Sequence, residues 1–129
     1  MSQPRVTFHL DPGPWDDPQW ADCRPAEGTV SGRVQLELDE PLNPRRVILR
    51  VKWYTEGKGE RDEGVHWEDV VHQGQLIGGE EFPFQVQLPQ GPLSYSGHLI
   101  KIIWAVELHL DLPWRRDPKF ERRFQLVLA

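Results

Sequence analysis

The chain has a single cysteine, Cys23, among its 129 residues. This excludes an internal disulfide and a zinc cluster built from several thiolates of one chain. No apolar run is long enough to span a bilayer. The first residues also lack the basic stretch and apolar segment of a secretory signal. We therefore expect a cytoplasmic protein without a transmembrane segment.

Basic residues are too few for a nucleic-acid interface, because phosphate binding needs clustered cations. The 15 Lys and Arg residues face 20 Asp and Glu residues, which gives a net charge of -5. The charges are uneven along the chain. Residues 56–81 hold eight carboxylates and two cations, whereas residues 115–123 hold five cations and two carboxylates. Such runs are either solvated faces or steer a partner of opposite sign, and we expect them to support weak, salt-sensitive self-association.

Motifs for catalysis are also missing. No serine lies in a Gly-x-Ser-x-Gly elbow, and carboxylates adjacent in a strand point to opposite faces, so they do not form a pair across a cleft. Glu107 is left as a solitary strand-internal candidate. We predict that the chain is not an enzyme and carries no cofactor, with a hydrolase as the weakest alternative.

Metal-ligand patterns are incomplete. The spacing His109-x-Asp111 sets two potential ligands on one strand face, but no third ligand follows at a recognised distance. Four aspartates near the N-terminus provide oxygen ligands of the kind calcium prefers, although the Asp-x-Asp-x-Asp-Gly form is absent, and turn and capping roles are the alternative. These four are Asp11, Asp16, Asp17 and Asp22. We assign no metal site.

Turn-forming residues are abundant, with 12 Pro and 11 Gly, and predict little helix. Residues 11–25 contain four prolines together with Trp15 and Trp20. Because proline-dense chain does not join a sheet readily, we expect a long ordered loop there.

Seven segments show the alternation of apolar and polar residues that is typical of strands. The clearest is Phe82, Phe84, Val86 and Leu88, followed by a run over residues 99–110 that is apolar on both faces, as in a central strand. Residues 65–77 do not keep one parity, which predicts a bulge or two short strands. The pattern predicts a single all-β domain over residues 1–129, an antiparallel immunoglobulin-like sandwich of about seven to eight strands. The residues predicted to be buried are Val34, Leu36, Leu49, Val51, Trp53, Phe84, Val86, Ile102, Trp104 and Val106.

Several of these segments, taken in order, resemble an arrestin N-terminal-type domain. The matching pieces are the Gly-x-Val-x-Gly-x-Val-x-Leu form of residues 28–36, the strand 47–53, Gly79-x-x-Phe82-Pro83-Phe84, Leu88-Pro89 and Ile102-Ile103-Trp104-x-Val106. The resemblance covers most of the chain and implies an arrestin-like sandwich that acts as an adaptor or regulator through protein contacts. Arrestins, the retromer small subunit and bacterial sporulation-control proteins usually carry a second sandwich. The 129 residues account for one sandwich. We therefore expect no mechanism here that depends on rotation between two domains.

The resemblance also implies a position for partner contact, the loop 57–64, which follows the strand 47–54 where arrestins place a probing loop. Its three glycines leave the backbone free to adapt, and its acidic tip favours a partner with a basic surface. The segment 114–116 is the next candidate. The predicted contact residues are Glu60, Arg61, Asp62, Glu63, Trp67, Trp114, Arg115 and Arg116.

The six tryptophans support a second hypothesis. Trp15, Trp20 and Trp114 lie in Pro-rich segments, where an indole either packs as a lid over an open end of the sandwich or projects as a binding anchor. We favour the lid, because three exposed indoles reduce solubility. Projecting indoles would instead favour a carbohydrate-binding module that stacks sugar rings on aromatic side chains.

Overall fold

The computed structural model describes residues 3–128, which form two β-sheets packed face to face. The strands are β1 (Arg5–Leu10), β2 (Cys23–Pro25), β3 (Thr29–Glu37), β4 (Arg46–Gly57), β5 (Glu63–His72), β6 (Glu81–Gln87), β7 (Tyr95–Ser96), β8 (Ile100–Asp111) and β9 (Lys119–Val127). The only helical segment in this range is a three-residue 3-10 turn, Pro18–Trp20. Over the same residues, no helix is long and apolar enough to cross a membrane. The predicted all-β sandwich is therefore confirmed.

The smaller sheet has the order β1-β3-β6, and the larger has the order β2-β9-β8-β4-β5, with β7 paired to one end of β8. The long strands β4 and β8 pair over twelve positions, from Arg46 opposite Asp111 to Gly57 opposite Ile100. At about 3.3 Å per residue, the two ends of this pair lie about 36 Å apart. Loops at opposite ends of β4 therefore form separate surfaces.

The core lies between the sheets and is filled by the inward parity of each strand. The alternation of apolar and polar residues along each strand makes this interior apolar. For example, Leu49 and Val51 of β4 are the register partners of Leu108 and Val106 of β8. Eight of the ten residues predicted to be buried are buried. Trp53 and Ile102 are only half-buried, because both lie towards the end of the sheet where β8 pairs with the two-residue strand β7.

The prediction that residues 11–25 form a loop throughout is wrong at the C-terminal end of the segment. Cys23–Pro25 form β2, which pairs with β9 in parallel, so the sandwich is not wholly antiparallel. Proline is tolerated there because β2 is an edge strand with one neighbour. The buried guanidinium of Arg24 holds the preceding loop by donating to the carbonyl oxygens of Asp11, Ala21 and Cys23 at 2.7–2.8 Å. With β7, this brings the strand count to nine.

The bulge predicted within residues 65–77 is confirmed. β5 is one continuous strand whose register against β4 shifts twice, between Val47 and Ile48 and again between Val51 and Lys52. Each shift places an extra β5 residue opposite β4, which explains why no single parity runs through the segment.

The predicted loop 57–64 is shorter than expected. Gly57 ends β4, whereas Glu63 and Gly64 begin β5, so the loop is residues 58–62. A Cβ at Gly57 would clash with the carbonyl oxygen of Leu99, and one at Gly64 would clash with the Trp53 indole. These two glycines therefore permit close packing, and of the three glycines in this segment Gly59 alone lies in open space.

Candidate functional site

The loop 58–62, which we call the tip loop, is tied to its surroundings. The amide of Lys58 donates to Leu99 O at 3.1 Å, and Thr55 N–H donates to Asp62 O at 2.9 Å. The Arg61 guanidinium lies over the Tyr54 ring, 4.2 Å from its centroid, and 3.8 Å from the Glu63 carboxylate. The tip loop is therefore an anchored hairpin turn.

The acidic character expected of the tip loop is offset by neighbouring cations. Arg123 of β9 contacts Glu56 at 3.3 Å, and Lys101 is the register partner of Glu56 on β8. Four carboxylates and four cations share this end of the sheet. They are Glu56, Glu60, Asp62, Glu63, Lys58, Arg61, Lys101 and Arg123. Residues 56–81 as a whole do not form one acidic face, because Glu68 pairs with Arg50 and Glu81 with Arg33.

The opposite end of β8 carries the second predicted surface, residues 112–118, which we call the tryptophan loop. Trp114 is fully exposed, at 101% of its reference area, and has φ = 65°. Arg115 and Arg116 beside it are exposed. The tryptophan loop lines a cavity of about 830 Å³ together with Arg45 and Lys119. The structure does not bring the tip loop and the tryptophan loop together, since they lie at opposite ends of β4 and β8.

Asp117 holds the base of the tryptophan loop. One carboxylate oxygen accepts from Leu112 N–H at 3.0 Å and the other contacts His109 Nε2 at 2.7 Å. Because Arg50 Nη1 lies 2.8 Å from His109 Nδ1 and an arginine only donates, Nδ1 accepts and Nε2–H donates to Asp117. The hydrogen bond from His109, aided by that from Leu112, lowers the pKa of Asp117. The loop is therefore anchored by a carboxylate that stays ionised.

A network of charges around one buried carboxylate, on the outer face of the large sheet, lies next to this anchor. Glu107 is only 4% exposed, and its two oxygens accept from Lys52 at 2.6 Å and from Arg50 at 2.9 Å. Burial alone would raise the pKa of Glu107, but the hydrogen bonds and charges of Lys52 and Arg50 outweigh it, so the pKa lies below its ordinary value. Sequence reasoning missed this network, because its members lie far apart in the chain and only equal parity on neighbouring strands connects them.

Of the remaining predicted contact residues, Trp67 faces inward, half-buried against the core. The lid interpretation is wrong for Trp114, which packs against nothing. Trp15 and Trp20 are 37% and 45% exposed, so they cover the sandwich only in part.

Three of the four aspartates near the N-terminus serve in turns and pairs. Asp17 caps the 3-10 turn, Asp11 accepts from Ser31 Oγ at 2.8 Å, and Asp22 pairs with Arg122 at 2.6 Å. His109 and Asp111 do not face a common ligand, because Asp111 contacts Arg45 and Arg46. In residues 3–128, no three His, Cys, Asp or Glu side chains come together as a metal site.

The pairing order of the two sheets and the long central strands β4 and β8 define an arrestin-like β-sandwich. Among solved structures, the chain is similar to the crystal structure of Spo0M, a sporulation control protein from Bacillus subtilis, with 19% sequence identity and a TM-score of 0.70. The match covers 100% of this chain and 51% of that one, so the chain spans about half the length of its structural neighbour. At this identity the similarity establishes the fold. No family model and no curated protein matched the chain.

Proposed function

We propose that this chain is a non-catalytic protein-interaction module, an adaptor or regulatory scaffold of arrestin-like type that works in the cytoplasm. The observation that carries the proposal is the fully exposed Trp114, which two exposed arginines, Arg115 and Arg116, follow directly. Tryptophan and arginine are enriched at the energetic centres of protein interfaces. An exposed indole reduces solubility, and a partner that covers it removes that cost.

The tryptophan loop is the primary contact surface in this proposal, and the tip loop is the secondary one. Glu60, Arg61, Asp62 and Glu63 are exposed and suit a partner with a basic surface. Because neighbouring cations balance their charge, their contribution is mainly to association rate and salt dependence.

The environment of the candidate catalytic groups supports a non-catalytic role. Both oxygens of Glu107 are occupied by cations, so the carboxylate is ionised and held away from any substrate. Ser94 and Ser96 line a cavity of about 320 Å³, but the described residues around it include no histidine to activate a hydroxyl. Cys23 is a free, buried thiol whose pKa is raised by burial, which suits a reducing compartment.

Capture from native lysate tests the proposal with three forms of the chain. The wild type is compared with W114A/R115E/R116E in the tryptophan loop and with E60K/D62K/E63K in the tip loop. We expect the first variant to lose retained proteins at all salt concentrations and the second to lose them only partly. The proposal is contradicted if both variants retain every protein that the wild type retains.

A carbohydrate-binding module is the second candidate function, and the partial exposure of Trp15 and Trp20 favours it. Trp15 lines a cavity of about 600 Å³ together with Phe8 and His9, and aromatic rings of this kind stack on sugars. Quenching of tryptophan emission by soluble glycans, lost in W15A, would support this candidate. Emission unchanged over a panel of glycans would contradict it.

A further inference from the structure

We infer that the cavity beside Trp114 binds a short acidic peptide segment that also carries an apolar side chain. The inference rests on the proposed function and names the partner chemistry for its primary surface. It differs from the basic partner that the acidic run in the sequence suggests, because the tryptophan loop, at the other end of the large sheet, presents a cluster of exposed cations.

The charges that line the cavity favour an acidic ligand. Four cations, Arg45, Arg115, Arg116 and Lys119, line it together with one carboxylate, Asp117. Asp117 is ionised and offsets one of the four cations, so positive charge remains in excess around the cavity.

Three of the four cations are available to a ligand. Over residues 3–128, neither of the exposed loop arginines nor Lys119 takes part in an ion pair. Arg45 shares Asp111 with Arg46 at 3.1 and 3.2 Å. Guanidinium groups bind carboxylates through two parallel hydrogen bonds. The two consecutive arginines of the tryptophan loop can therefore bind a peptide segment that has several carboxylates.

Trp114 explains why the ligand carries an apolar side chain. Its indole is fully exposed, and the loop is anchored at its base through Asp117. An anchored loop restricts the backbone, and a tryptophan has only two side-chain torsions to fix, so little conformational entropy is lost on binding. An apolar side chain placed between carboxylates would cover the indole while the arginines bind the flanking charges.

The shape of the site favours a peptide over an anionic membrane. A concavity of about 830 Å³ accepts inserted side chains, whereas a bilayer surface would touch the protruding indole and leave the cavity unfilled. Nucleic acid is a poorer fit, because its affinity depends on many phosphate contacts and few cations are available here.

Fluorescence anisotropy with the full chain tests the inference. The probe is a fluorescein-labelled peptide with four glutamates around one leucine, and the reference peptide has glutamines in place of the glutamates. We expect binding of the probe alone, weakened about tenfold or more by R115E/R116E and weakened by rising salt. W114A should weaken binding and W114F should restore most of it. The matched control R33E/K101E has the same change in net charge at two exposed positions outside both loops and should bind within about twofold of wild type.

The inference is overturned if the glutamine peptide binds equally well, if R33E/K101E weakens binding as much as R115E/R116E, or if no probe binds. It is also overturned if vesicles of phosphatidylcholine and phosphatidylserine bind the chain through Trp114 while the peptide does not. If the peptide fails but W114A/R115E/R116E still loses proteins in lysate capture, the proposed function stands and the acidic-segment inference alone fails.

Discussion

Tyr54 is the side chain whose ionisation reports most directly on the outer face of the large sheet. Its ring is buried, and its hydroxyl donates to Glu121 at 2.7 Å. Burial, followed by the hydrogen bond to Glu121, raises the pKa of Tyr54 to about 12. The other tyrosine, Tyr95, is exposed, so the two phenols differ in environment.

We therefore expect an alkaline spectrophotometric titration to resolve one tyrosine that ionises near pH 12, and Y54F to remove it. Because folding raises this pKa, the stability it contributes is complete below the unfolded pKa of about 10 and is lost as the pH rises towards 12. A Tyr54 phenol that ionises near pH 10, as a free phenol does, would contradict its described environment.

Glu107 provides a second test on a single side chain. In E107Q the shape is kept but the charge that neutralises Arg50 and Lys52 is removed, so the free energy of unfolding should fall by about 3 to 5 kcal/mol. E68Q breaks a more exposed ion pair with the same Arg50. The free energy of unfolding of this variant should fall by less than about 1 kcal/mol. Urea unfolding of both variants measures the difference, and equal losses would mean that the network is not buried.

The central strands β4 and β8 carry most of the interior, and Trp104 is the largest side chain that they bury. It is 0% exposed, and its indole N–H donates to Pro92 O at 2.6 Å. W104A should lower the free energy of unfolding by about 3 to 5 kcal/mol, because it leaves a cavity and an unpaired carbonyl. The matched control is W114A, an exposed tryptophan whose loss should change stability by less than about 0.5 kcal/mol. A W104A variant that melts like the wild type would show that this position is not interior.

Strands with strict alternation were predictable from sequence, as β3 and β6 illustrate. β2 was not predictable, because a strand of three residues is too short to show an alternating pattern of side chains. Pro25 also argues against a strand. The burial of Tyr54 and the half-exposure of Trp53 also escaped prediction. The outer face of β4 is covered by side chains of neighbouring strands, and parity within one strand does not reveal this.

The two candidate surfaces were predicted only as sequence segments. The charges of the tip loop are visible in the sequence, but their neutralisation depends on partners such as Arg123, which lies 67 residues from Glu56. The exposure of Trp114 was equally hidden, because a proline-rich segment is compatible with both a buried and a projecting indole. Non-local pairing therefore decides which segment presents unpaired charge.

For the molecule as a whole, the charge distribution bears on self-association. Cations of the tryptophan loop lie at one end of the large sheet and the carboxylates of the tip loop at the other, so two antiparallel copies related by a two-fold axis would make both contacts at once. We expect weak association at low salt that disappears as salt is added. Sedimentation velocity over a range of concentrations measures it, and a strict monomer at low salt and high concentration would exclude it.

The claim on which the account depends is that the tryptophan loop contacts a protein partner. Photo-crosslinking tests it most directly, with p-benzoylphenylalanine replacing Trp114 in one form of the chain and the partly exposed Trp20 in a matched control. In native lysate, we predict a discrete crosslinked protein adduct from position 114, reduced when R115E/R116E is added, and no such adduct from position 20. An adduct from position 20 but not from position 114, or no adduct from either position, would contradict the account.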